Sequence, residues 1–180
     1  VRYQRLGLLL IGLITCGGLT HITVSQTASA TIPGASLLES LVGDVGFGGF
    51  ANFDITQSQE LKNQGVKREQ IDSVKIQSLT LEITAPPSGQ DFTFLESIAF
   101  FVDAPGQPQK QVAHGGPFTA GATSISMTID DVELAPYATA TSMTFTSKVT
   151  GKKPKTETVV LAKVILGADV NIGGLICGSK

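Results

Sequence analysis

The chain has 180 residues, of which 42 % are hydrophobic and 16 % charged, and its formal net charge is −2. That is enough apolar content for a continuous core, and the charge balance offers no electrostatic case for nucleic acid, whose binding depends on a clustered positive surface. Two cysteines, Cys16 and Cys177, exclude a disulfide-dense scaffold, and neither has ligands at the spacing a zinc site requires.

Arg2 and Arg5 precede an apolar run from Leu6 to Ile14. Positive residues ahead of a short apolar stretch have the polarity of an export signal, and the run is shorter than the roughly 20 residues that span a bilayer. Residues 1–16 are therefore expected to be a leader. Leu13-Ile14-Thr15-Cys16 resembles the bacterial lipobox, departing from it at Thr15, and this implies Cys16 as the lipid-attachment residue. Ala28-Ser29-Ala30 offers a competing small-x-small cleavage site, which would make the protein secreted. A retained helix reaching Val24 is the third route. Residues 17–36, rich in Thr, Ser, Ala and Gly, hold little apolar surface to offset ordering and are expected to be a flexible tether. The folded domain is then 37–180.

A short helical turn is expected over Leu37–Val42, followed by the glycine-rich run Gly43–Phe50. That run lacks the Gly-Lys-Ser/Thr ending of a phosphate loop. Alternation of Ala51, Phe53 and Ile55 with polar neighbours predicts a first strand over Phe47–Ile55. Thr56 or Ser58 then caps a polar turn ending near Gly65, and a second turn spans Lys67–Ile71. Ser73–Thr84 is the clearest strand. Its apolar residues change parity between Ile76 and Leu79, which places a bulge or a change of buried face at Gln77-Ser78.

Pro86-Pro87-Ser88-Gly89 ends that strand. Ser97–Val102 follows with Ile98, Phe100 and Val102 inward and Phe101 outward. Gln109–Ala113 is expected as a brief edge, and His114–Pro117 as a loop. In Ser124–Ile129 the residues Ile125, Met127 and Ile129 share a face, and Val132–Leu134 reads as a short extension. Met143, Phe145 and Val149 define a later strand, Gly151–Pro154 a turn, and Glu157–Ile172 a last strand bent at Gly167. Seven or so short strands between turns predict an all-β fold, an antiparallel β-sandwich with one or two short helical turns, for which an immunoglobulin-like topology is one arrangement.

Few residues carry chemistry. His114 stands in a glycine-rich stretch with no local triad partners, so no catalytic residue and no enzyme activity are expected. Asp130, Asp131 and Glu133, with Asp103 before another turn, are the candidate Ca²⁺ ligands. They lack the EF-hand pattern, and an acidic turn that protects a sheet edge is the alternative reading. Lys152, Lys153 and Lys155 are the candidate contact to anionic lipid or polysaccharide. The expected function is a non-catalytic binding or adhesion module of the bacterial cell envelope. It would be held to the membrane by lipid on Cys16, facing periplasm or exterior, with an envelope protein or polysaccharide as partner and no nucleic acid. The alternatives are a structural homomeric envelope lipoprotein and a secreted hydrolase.

Overall fold

The computed structural model describes residues 19–35, 40–47 and 50–171. Among the described residues nine strands form two packed antiparallel sheets: β1 (Leu19–Ile32), β2 (Ser40–Gly43), β3 (Ile71–Ala85), β4 (Leu95–Ala104), β5 (Gln107–Gly115), β6 (Ser124–Ser126), β7 (Thr128–Ile129), β8 (Thr144–Lys152) and β9 (Thr158–Asn171). One sheet has the order β1-β9-β3-β6 and the other β2-β8-β4-β5-β7. An all-β sandwich is thus what the alternating apolar pattern produces, although its strand orders do not identify it with the immunoglobulin topology. The two inner faces meet through Val24, Leu79, Leu81, Val164 and Leu166 from the first sheet and Ile98, Phe100, Val102 and Phe145 from the second, all buried.

The segment expected as a tether is largely β1. It pairs with β9 residue for residue from Leu19–Asn171 to Ile32–Thr158 without a register shift. Ile22, Val24, Ala28, Ala30 and Ile32 are buried while the intervening Thr, Ser and His residues are exposed. Small inward residues lowered the apparent hydrophobicity, but the period of two is that of a half-buried strand, and a ladder to β9 supplies the backbone bonds that offset ordering. The leader and Cys16, as well as Cys177, lie outside the described residues.

β3 is bulged where its parity changes, with a register shift between Ile76 and Ser78. Val74 and Ile76 before it, and Leu79, Leu81 and Ile83 after it, are all buried. Ser124–Ile129 keeps its expected face but divides, since β6 pairs with β3 in one sheet and β7 with β5 in the other. Buried Met127 stands at the crossing and donates its N–H to the Leu79 carbonyl at 2.9 Å. A strand that changes sheets closes that corner of the sandwich.

Among the described residues of 44–66, the predicted strand over Phe47–Ile55 does not form. Asn52 has φ +52°, which breaks the extended run. Asp54 then caps a 3-10 turn at Ile55–Gln57 by accepting from the Thr56 N–H at 3.0 Å. What survives of the strand is a single bridge between Phe53 and Met143. Ser58 caps α1 (Gln59–Asn63), and Gly65, at φ +64°, follows it. Phe47, Phe50, Ile55 and Leu61 from this segment are buried in the core. Three further differences concern boundaries. Residues 40–42 are strand rather than helical turn, while 37–39 lie outside the described residues. The Val132–Leu134 extension gives way to α2 (Ala135–Ala138), and β9 runs through Gly167 without a register shift against β1. Among the described residues no helix is long and apolar enough to cross a membrane.

Candidate functional site

His114 lies on β5 rather than in a loop, opposite Thr128 of β7. Its Nδ1 is 3.2 Å from an Asp130 carboxylate oxygen, and Gln111 donates to the other Asp130 oxygen at 3.0 Å. The His114 strand and the acidic turn therefore meet. The other acidic side chains go elsewhere. Asp131 pairs with Lys75 Nζ at 2.6 Å. Glu133 accepts from the Val74 N–H, the Ser73 hydroxyl and the Ala135 N–H at 2.7–2.8 Å. Burial pushes the Glu133 pKa up, but these three donors, with Lys75 beyond them, hold it below the ordinary value. The Lys75 ammonium likewise holds Asp131 below the usual carboxylate range. Asp103 lines a separate open cavity beside the β4–β5 turn. The sequence neighbours Asp130, Asp131 and Glu133 are thus divided among a histidine, a lysine and two backbone N–H groups. Among the described residues no group of three or more His, Cys, Asp or Glu side chains is placed to hold a metal ion.

A second histidine constellation was hidden in the presumed tether. His21, on the outer face of β1, places Nδ1 2.7 Å from Asp169 of β9, and its Nε2 lies 2.8 Å from Gln77 Nε2. Gln77 is the residue displaced by the β3 bulge, and Gly167 leaves the space between them. A Cβ at Gly167 would come within 2.5 Å of Gln77 Nε2 and 2.7 Å of His21 Cε1. The glycine read as a bend is a clearance for two side chains. The remaining signal in the sequence was the bulge itself, which says that Gln77 leaves the ordinary ladder. Among the described residues no hydroxyl or thiol hydrogen-bonds to either imidazole, so neither pair is extended to a nucleophile.

A cavity of about 650 Å³ opens between the β8–β9 hairpin and the β3–β4 connection. Lys152, Lys153 and Lys155 line it together with Asp91. The hairpin is held to the preceding chain where the Ala35 N–H donates to the Pro154 carbonyl at 3.0 Å, and within the hairpin the Thr158 hydroxyl donates to the Thr156 carbonyl at 2.9 Å. Gly34 packs directly on that backbone, where a Cβ would stand 2.7 Å from the Thr156 carbonyl carbon. The lysine-rich turn is therefore fixed by packing.

The third feature is the side of β1 away from β9, against part of which α1 lies. Among the described residues β1 pairs with β9 alone, so its outer backbone groups meet no further strand. The other outermost strands are short: β2 has four residues, β6 three and β7 two. β5 is unpaired on one side before Val112, and there it carries Pro108 and Lys110, both common protections of an edge. The fourteen residues of β1 contain no Pro, Lys, Arg, Asp or Glu.

Neither a protein-family model nor a curated protein matches the chain. Among solved structures, the chain is similar to one titled "Crystal structure of 60-mer BFDV Capsid Protein". The TM-score is 0.45 and the identity 9 %, and the match covers 87 % of this chain and 95 % of that one.

Proposed function

We propose that the protein is an exported, lipid-anchored envelope module that binds without catalysis, and that an extended segment of another envelope protein docks by adding a strand to β1. The observation that carries this reading is the long outer edge of β1, which pairs with no further strand among the described residues. Natural sheets blunt their edges with charge, proline, bulges, brevity or a covering helix or loop. β1 has no charge-bearing Lys, Arg, Asp or Glu, no proline and no register shift over fourteen residues, and α1 lies against part of it. Strand addition uses such an edge: main-chain hydrogen bonds supply affinity and alternate side chains supply selectivity.

Anchoring at Cys16 is supported by the place of β1 in the fold. Cleavage after Ala30 would remove twelve of the fourteen residues of β1, Leu19 to Ala30, and leave β9 paired with β3 alone over that length. Processing at Cys16 leaves β1 whole. The lipid would then be at most about 11 Å of chain from Leu19, since three Cα steps reach no further. Such a module is held close to the bilayer by one end of its first sheet.

The test is a partner recovered from envelope fractions, identified by mass spectrometry and rebuilt from purified components. Binding should fall at least tenfold with Thr27→Lys or Ser29→Lys, which place a charge on exposed positions of the β1 edge. Equal binding by those variants would refute docking at β1. Pairing with a second copy of the chain is the other reading this edge favours. It would be recognised by homodimers that the same substitutions dissolve, and it would convert the module into an assembly protein. An acyl mass on Cys16 is expected at the mature N-terminus, whereas a chain starting at Thr31 would contradict anchoring.

A further inference from the structure

We propose that the cavity between the β8–β9 hairpin and the β3–β4 connection binds an acidic saccharide, a sugar unit carrying a carboxylate. Three lysines, Lys152, Lys153 and Lys155, line the cavity in a molecule whose net charge is −2. Asp91 is the one carboxylate among its walls; the Lys155 charge acts on it, and three lysines against one carboxylate leave the lining positive. Asp91 accepts from the Thr93 hydroxyl, from the Thr93 N–H at 3.0 Å and from the Gly121 N–H at 2.7 Å. Positive charge in a concave site with low-dielectric walls concentrates anions.

The shape and the remaining lining narrow the ligand. A volume of about 650 Å³ suits a small molecule rather than a bare ion, and such sites combine apolar walls with a few placed polar groups. Phe94 and Pro154 supply apolar surface, while Gln90 and Thr93 supply polar groups at the same walls. Gly151, next to Lys152, lets β8 approach the Phe94 backbone: its φ is +152°, and a Cβ there would run into the Phe94 carbonyl oxygen. Because the hairpin is pinned through Pro154 and Thr156, little ordering remains to be done on binding, which favours a selective site.

The choice of a saccharide over a lipid headgroup rests on anchoring at Cys16. β1 runs from Leu19, next to the anchor, to Ile32, which pairs with Thr158 at the cavity end. Fourteen extended residues span about 45 Å, so with β1 standing upright on its anchor the cavity is held away from the bilayer.

Titration of the mature protein with tetragalacturonate, followed by calorimetry and by amide NMR shifts, tests the assignment. Maltotetraose serves as the neutral counterpart, and phosphatidylglycerol vesicles as the lipid arm. Tetragalacturonate should bind, shifting the amides of Gln90–Phe94 and Lys152–Lys155, and its affinity should fall with added salt. The double variant Lys152→Gln/Lys155→Gln, which alters two exposed side chains, should bind at least tenfold more weakly. Lys110→Gln on β5 should bind as the parent does. No binding of tetragalacturonate, equal binding of maltotetraose, undiminished binding by the double variant, or binding of vesicles alone would each overturn the proposal. Thr27→Lys should leave this binding unchanged, so failure at the cavity and failure at the β1 edge are read separately.

Discussion

At Gly167 the absence of a side chain has a specific consequence, because His21 and Gln77 fill the space a Cβ would take. Gly167→Ala is expected to push both side chains off the sheet and to break the His21–Asp169 contact. Both are exposed side-chain ends rather than backbone, so stability should change by less than about 1 kcal/mol. A crystal structure or the His21 ring NMR signals would check this, and an unmoved ring would contradict it. Tyr137 is the opposite case. It is 2 % exposed, and its hydroxyl donates to the Pro108 carbonyl at 2.7 Å. Tyr137→Phe keeps the ring and leaves that acceptor unpaired, which should cost about 1 kcal/mol in denaturant unfolding. The lysines of the cavity were identifiable from their crowding in sequence, whereas Asp91 and the pinned backbone of Gly34 were not. His21 was unreadable as part of a site because its partners, Gln77 and Asp169, lie 56 and 148 residues away.

Elements differ in how far local pattern determines them. β3 was legible down to its bulge, since five large apolar residues record both parities and the shift between them. Leu81, fully buried in its second half, should cost about 2–5 kcal/mol when changed to Ala, measured by denaturant unfolding. A loss below 1 kcal/mol would mean that the two sheets do not pack there as described. β1 carries the same period in smaller residues, so composition concealed what alternation contained. Phe47–Ile55 failed for another reason. Three alternating residues do not outweigh the capping chemistry of Asp54 and Ser58, which turns the chain into helical turns and sends Ile55 and Leu61 into the core from a loop. The division of Ser124–Ile129 between two sheets depends on partners distant in sequence, and its shared face alone could be read. β1 also differs from the other edges in consequence. Its inner side is committed to β9, while its outer side lacks the proline and lysine found on β5.

The molecule as a whole carries carboxylates held low by their surroundings, and this sets its response to acid. Burial pushes Asp44 up, but the N–H groups of Gly46, Ser147 and Val45 and the Ser147 hydroxyl outweigh it, so its pKa lies below the ordinary 3.8. Donors at Asp91, and Lys75 at Asp131, lower those groups from 3.8, and Glu133 lies below its ordinary 4.5. A group lowered in the folded state contributes stability that is present above its unfolded value and lost as pH falls through the folded one. Thermal stability should therefore be insensitive to these four groups near neutrality and decline as pH drops below about 4. A melting temperature constant down to pH 2 would contradict that balance. The two surfaces argued for function lie on this one sandwich: an open edge along β1 and a basic cavity beyond its C-terminal end. The edge is the central claim, and backbone amide exchange along Leu19–Ile32 tests it most directly. In the purified protein, amides bonded to β9 should exchange slowly and alternate, outward amides rapidly, and binding of the envelope partner should protect the outward set. Outward amides already protected in the purified monomer, or unchanged when the partner is bound, would contradict it.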